Sequence, residues 1–190
     1  MTCDGSVLTN PGPGGWACVF RTNGIAKSLY GFCPHATNNQ MELMAAIRGL
    51  EHLSRPCNVE AYCDSEYVVK GISQWIKKWK KNGWIAGDFK RGGAYNTPAF
   101  SMKQVKNQDL WQRLDKAQER HRVIWHWVRG HNTKPDTHKD NLLCDQIARR
   151  AALEQSEGTA VLTGVDMTNI IHQAKTNNPE IIRMITFEDV

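Results

Sequence analysis

The chain has 190 residues, 41% of them hydrophobic, and a formal net charge of +5. Its length and apolar share suit one domain with a full core. No apolar run reaches membrane-span length and no basic-then-apolar leader opens the chain, so the expected location is cytoplasmic, with no membrane partner. Six cysteines (Cys3, Cys18, Cys33, Cys57, Cys63 and Cys144) are scattered without a Cys-x-x-Cys pair. They are expected to be reduced and mostly buried, not disulfides or zinc ligands.

The opening stretch reads Cys3-Asp4-Gly5-Ser6, then Asn10-Pro11-Gly12-Pro13-Gly14-Gly15-Trp16. The Pro/Gly run predicts a turn, which places Asp4 at the end of a strand. That strand is short, with three residues before Asp4, and implies either a truncated strand or a start further upstream. Trp16 to Arg21 and Ile25 to Phe32 read as a hairpin about Asn23-Gly24. Pro34 to Asn38 reads as a loop, and a helix follows from about Asn39 to Leu53 with Leu43, Ile47 and Leu50 at core spacing. Val59 to Cys63 is a strand, and a helix begins at Asp64-Ser65. Asp109 to Gln118 is helical. Arg122 to Val128 suits a strand buried on both faces. Asn141 to Leu153 is a helix, with Asp145 one turn after Asn141. Residues 1–154 form the expected domain, and 155–190 an extension of unknown role.

Each acid of interest has an ordinary local explanation. Asn39 with Glu42 three residues later resembles a capping box. Asp64, between strand and helix, is a common N-cap position, although functional groups also gather at the carboxyl ends of strands in α/β folds. Four such carboxylates, Asp4, Glu42, Asp64 and Asp145, together suggest a hard cation. Residues 75–106 carry eight basic residues against one acid, Asp88, so this segment is more positive than the whole chain. Interleaving with Trp75, Trp79 and Trp84 favours a nucleic-acid contact surface over a merely solvated face.

These runs match a family pattern in order: Asp4-Gly5-Ser6 with Asn10 to Gly15, Thr37 to Ala46, Asp64 to Val68, Trp75 to Trp84, Trp127 to His131, then Asn141 and Cys144-Asp145. Over about residues 1–152 the chain resembles ribonuclease H of type I. The resemblance implies an α/β fold with a five-stranded mixed sheet and flanking helices. It also implies hydrolysis of the RNA strand of RNA–DNA hybrids, leaving 5′-phosphate and 3′-hydroxyl ends. Asp4, Glu42, Asp64 and Asp145 match its metal-binding carboxylates, for two Mg²⁺ ions with Mn²⁺ plausible, and His131 matches its mobile catalytic histidine. Asn10, Thr37 and Asn39 match substrate contacts, with Glu66, Trp75, Lys80, Lys81, Trp84 and Asn141 as further candidates. Glu66 stands where many relatives carry glutamine, and the loop after His131 is long. A monomer acting on a hybrid duplex is expected, with no protein partner inferable. The rivals are a hybrid-binding module without turnover, a same-fold nuclease acting on DNA, and a zinc site from His126, His131, His138 and Cys144.

Overall fold

The computed structural model describes residues 1–23, 25–86, 103–130 and 139–156. The first strand, β1, spans Thr2–Val7, so Asp4 lies in mid-strand and not at its end. Gly5, Ser6 and Val7 continue the ladder opposite Trp16, Gly15 and Gly14. The glycine run read as a turn is therefore largely strand: β2 spans Gly12–Thr22. Likewise β3 runs Ile25–Ala36, through the stretch expected to be a loop from Pro34. Asn23 has the positive φ of 49° that a tight hairpin asks for; Gly24 lies outside the described residues.

Helix α1, Asn38–His52, is capped by Thr37. The Thr37 side chain accepts from the Gln40 backbone, while Gln40 Oε1 accepts from the Thr37 N–H at 2.8 Å. The capping box is thus Thr37–Gln40, one pair upstream of the Asn39–Glu42 box expected, and Glu42 takes no part in it. Strand β4, Asn58–Cys63, runs parallel to β1. Ser65, not Asp64, caps α2 (Glu66–Lys70), accepting from Val68 N at 3.4 Å. A π-helical turn, Gly71–Trp75, then leads into α3, Ile76–Lys81.

Short strands β5 (Ile85–Ala86) and β6 (Lys103–Gln104) pair with each other. Helix α4 (Gln108–Gln118), strand β7 (Arg122–Trp127) and helix α5 (Lys139–Ser156) complete the described elements. The main sheet is mixed, in the order β3-β2-β1-β4-β7. Strand β7 is an edge strand and not doubly buried: Ile124 is 47% and Trp127 50% exposed. Its apolar alternation reflects one packed face and one open one.

Alternation divides the interior. Cys3 and Cys18 pack with Leu43, Ile47 and Leu50 of α1, while Ala17 and Val19 pack with Leu143, Cys144 and Ile147 of α5. At about 25 cal/mol per Å² of apolar surface, these two layers hold the sheet rigid beneath the site. Arg113 closes a bidentate pair on Glu51, at 2.7 and 2.6 Å, that ties α4 to α1. No described helix is long and apolar enough to cross a membrane.

Candidate active site

Asp4 is 4% exposed, and its Oδ1 accepts the Gly5 N–H at 2.8 Å. Gly5 has to be glycine because a Cβ there would lie 2.3 Å from the Glu42 nitrogen. That close approach brings the first turns of α1 onto β1 and delivers Glu42, 6% exposed, to Asp4. With Thr37 and Gln40 closing the helix end, the Glu42 carboxyl is left for other partners. Asn38 Nδ2 donates to its Oε1 at 3.5 Å, and the Cys63 thiol donates to its Oε2 at 4.0 Å.

Asp64 follows the last residue of β4, and three separate elements hold it. Trp127 Nε1 donates to its carbonyl at 2.9 Å, and Asn141 Nδ2 to its Oδ2 at 3.1 Å. Gly130 crowds the same carboxylate: a Cβ there would sit 2.2 Å from Oδ2. Asp145, half-buried one turn after Asn141 on α5, contributes its charge to the field at Asp4.

Burial chiefly, then the charges of Asp64 and Asp145, push the Asp4 carboxyl up to about 8. Burial likewise holds Glu42 well above the usual carboxylate range, reinforced by Cys63, Asp4 and Asp64. With both carboxyls pushed up, the neighbouring pair holds protons to higher pH than isolated acids would. Among the described residues no ion pair reaches any of the four acids. Negative charge concentrated at buried and half-buried positions, with no ion pair to a described base, is best accommodated in its ionised form by cations.

The family model for RNase H matches residues 1–153. A ribonuclease H of Marinobacter nauticus is 47% identical over 154 residues, covering 81% of this chain and 93% of that protein. One of Alkalilimnicola ehrlichii is 45% identical over 157 residues, covering 83% and 96%. The chain belongs to the ribonuclease H family. Among solved structures it is similar to LC9-RNase H1, a type 1 RNase H with the type 2 active-site motif. The TM-score there is 0.66 at 26% identity, over 100% of this chain and 87% of the other. It shares its fold with LC11-RNase H1, solved in complex with RNA/DNA hybrid, at a TM-score of 0.54, 18% identity, and 80% and 95% coverage.

The other residues expected to serve this ribonuclease H fall into three groups. Asn10, exposed, accepts the Asn38 N–H on its Oδ1 at 3.2 Å, and Asn39 is exposed in the same helical turn. Thr37 spends its hydroxyl on the cap. Glu66 is exposed and bonded to Lys70, which offsets the charge placed where glutamine is usual. In the basic segment, Trp75 is 37% exposed, whereas Trp79 and Trp84 are partly buried against the core. The Trp79 and Trp111 rings lie 5.2 Å apart, so part of the tryptophan stripe is packing. Lys80 is bound to Asp115 at 2.6 Å; Lys81 is exposed. Lys90, Arg91, Asp88 and His131 lie outside the described residues.

Asn141 is 3% exposed and faces Asp64, which makes it a positioning residue for that carboxylate. The zinc set loses its basis, since His126 bonds Glu60 and Cys144 bonds the Thr2 carbonyl on a different strand; His131 and His138 are not described. Sequence reading missed Gly130 and Trp127 as supports of Asp64. Gly130→Ala should leave the fold intact and displace the Asp64 carboxylate, lowering Mg²⁺-dependent cleavage at least about tenfold. That figure corresponds to about 1.4 kcal/mol of transition-state stabilisation. Cleavage rates with a circular dichroism control would check it, and an unchanged rate would show that Asp64 tolerates the shift.

Proposed function

We propose that this chain hydrolyses the RNA strand of RNA–DNA hybrids at a site where Asp4, Glu42, Asp64 and Asp145 hold two divalent ions, Mg²⁺ for preference. The observation that carries this reading is the meeting of Asp4, Glu42 and Asp64 with no ion pair to a base among the described residues, two of them with raised carboxyl pKa values. An all-oxygen donor set suits Mg²⁺, which keeps several of its waters. Asn141 supports the fit: its Oδ1 is buried without a partner beside Asp64. Bound there, the ions would activate the attacking water and stabilise the leaving 3′ oxygen, giving 5′-phosphate and 3′-hydroxyl ends.

The chain's own residues set the geometry. Trp127, Gly130 and Asn141 fix Asp64, and Gly5 lets α1 bring Glu42 to Asp4. The exposed Asn10 and Asn39 stand at the N-terminus of α1, where backbone N–H groups favour phosphate. Polar groups here suit 2′-hydroxyls in a wide minor groove. The lysines of α3 suit phosphates of the DNA strand, making binding salt-sensitive and largely indifferent to sequence. His131 assists proton movement or product release. Residues 1–154 act as the catalytic unit, a cytoplasmic monomer, with 155–190 an appended segment.

The deciding assay is cleavage of a labelled hybrid with Mg²⁺, with and without EDTA, beside duplex RNA and duplex DNA. Metal-dependent cutting of the hybrid's RNA strand alone is expected. Preferential cutting of duplex DNA, or hybrid binding without any cutting, would overturn the reading.

A further inference from the structure

None of the steps above uses the thiol of Cys63, which is fully buried at the end of β4, one residue before Asp64. Its sulfur, a carboxylate oxygen of Glu42 and one of Asp64 all lie within 4.8 Å of one another. We propose that Cys63, Glu42 and Asp64 form a site for a thiophilic divalent cation, Zn²⁺ or Cd²⁺, which competes with Mg²⁺ for the two shared carboxylates.

The spacing suits a tetrahedral ion. Zinc bonds of about 2.3 Å to sulfur and about 2.0 Å to oxygen put the two donors about 3.5 Å apart. Cys63 Sγ and Glu42 Oε2 stand at 4.0 Å, already joined by the thiol proton that a cation would replace. On binding, the thiol releases that proton to solvent and the thiolate donates a pair to the metal, with no change of oxidation state.

A second observation concerns Asn141. Its amide is pinned to Asp64 Oδ2 through Nδ2, and its buried Oδ1 has no donor among the described residues. An unmatched acceptor there fits a cation or a water on it. Three protein donors plus water is also the pattern of an open zinc site. Asp64, the partly exposed member, gives the entry path. Cys3, fully buried on the adjacent strand, spends its own thiol on the Tyr62 carbonyl at 3.7 Å, which leaves the Cys63 sulfur to Glu42.

Selectivity follows from the donors. Carboxylates and water suit Mg²⁺, whereas a thiolate favours Zn²⁺ and other thiophilic ions. Cys63 would therefore make this site sensitive to such ions at concentrations far below those of Mg²⁺, and an ion seated there would hold Glu42 and Asp64 away from catalysis.

The test is a Cd²⁺ titration of the reduced, metal-free protein, followed by sulfur-to-metal charge-transfer absorption in the ultraviolet. One equivalent should produce the band, and Mg²⁺ at tenfold excess over Cd²⁺ should not remove it. The band should vanish in Cys63→Ser and persist in the Cys33→Ser/Cys57→Ser double variant, which lacks the two partly exposed thiols. Absence of the band in the wild type, or its survival in Cys63→Ser, would overturn the proposal. Circular dichroism checks that Cys63→Ser is folded. Should it fail to fold, Glu42→Gln provides the second arm: Cd²⁺ affinity should fall at least about tenfold, and unchanged affinity would overturn the assignment. Hybrid cleavage in Mg²⁺ is measured separately on the same wild-type preparation. A band without cleavage refutes the hydrolytic reading alone, and cleavage without a band refutes the thiophilic site alone.

Discussion

Asp64→Asn should reduce Mg²⁺-dependent cleavage of an RNA–DNA hybrid by about 10³-fold or more while leaving hybrid affinity within a few-fold of wild type. The loss follows from the position of Asp64 between the other acids and the groups that hold it. A metal that polarises a phosphoryl oxygen supplies several kcal/mol of transition-state stabilisation, and each 1.36 kcal/mol is a factor of ten in rate. The amide keeps the size of the side chain, and the Trp127 bond to the Asp64 carbonyl at 2.9 Å is untouched. The bond from Asn141 Nδ2 can still be accepted by the new amide oxygen. The fold should therefore survive, and what disappears is the negative charge that holds the ion. Binding should persist because the groups proposed to face substrate lie elsewhere, on the exposed start of α1 and on α3, and because one acid fewer repels a polyanion less. Rates at saturating hybrid, with affinities measured in parallel, check both halves. Wild-type turnover would remove Asp64 from the metal site; a parallel loss of affinity would place it in substrate binding.

The acids were legible in the sequence as residues, yet their freedom to act was not. Glu42 and Asp64 both sit where a cap is the ordinary explanation, and only the structure shows the caps filled by Thr37 and Ser65. Cap choice turns on one or two residues of register, which spacing alone does not resolve. Asp4 appeared to end its strand because the following glycines and prolines carry turn chemistry. Cross-strand pairing with Trp16, Gly15 and Gly14 overrides that local preference. The apolar alternation of β7 was read as double burial, but nothing local says that no strand lies beyond it. Trp127 and Gly130 support Asp64 through contacts more than sixty residues apart in the chain. Such roles exist only after folding, so only the family pattern could have flagged them. Trp79, half-buried against Trp111, and Trp84, half-buried against Trp79, show the converse: their interleaving with lysine suggested substrate contact, and packing claims part of them.

The metal-free protein should lose stability as pH rises from about 4 to about 8, and Mg²⁺ should abolish most of that slope. The sign follows from Asp4, whose carboxyl is pushed up to about 8 in the folded state, chiefly by burial, against about 3.9 in an unfolded chain. Between those values the native state holds a proton that the unfolded state has released. Stability therefore falls with rising pH, its favourable contribution being complete below the unfolded pKa and gone above the folded one. Glu42, raised in the same direction, steepens the loss. The total should be on the order of a few kcal/mol, because neighbouring carboxyls do not titrate independently. Mg²⁺ binds the ionised form, and at a hundredfold excess over its Kd adds about 2.7 kcal/mol, most where the acids are ionised. Asp4→Asn removes one of the two titrating groups and should reduce the slope without metal while raising stability at pH 8. Urea unfolding at a series of pH values, with and without Mg²⁺, reads all of this. A wild-type slope of the opposite sign would mean that the carboxylates are held ionised by a cationic partner, and the case for a metal site would fall with it. The expected slope, reduced together with activity in Asp4→Asn, would tie the strain of the metal-free cluster to the chemistry it performs. Acids gathered with no ion pair to a described base make the folded state weaker alone, and that same repulsion is what the proposed divalent ions would relieve.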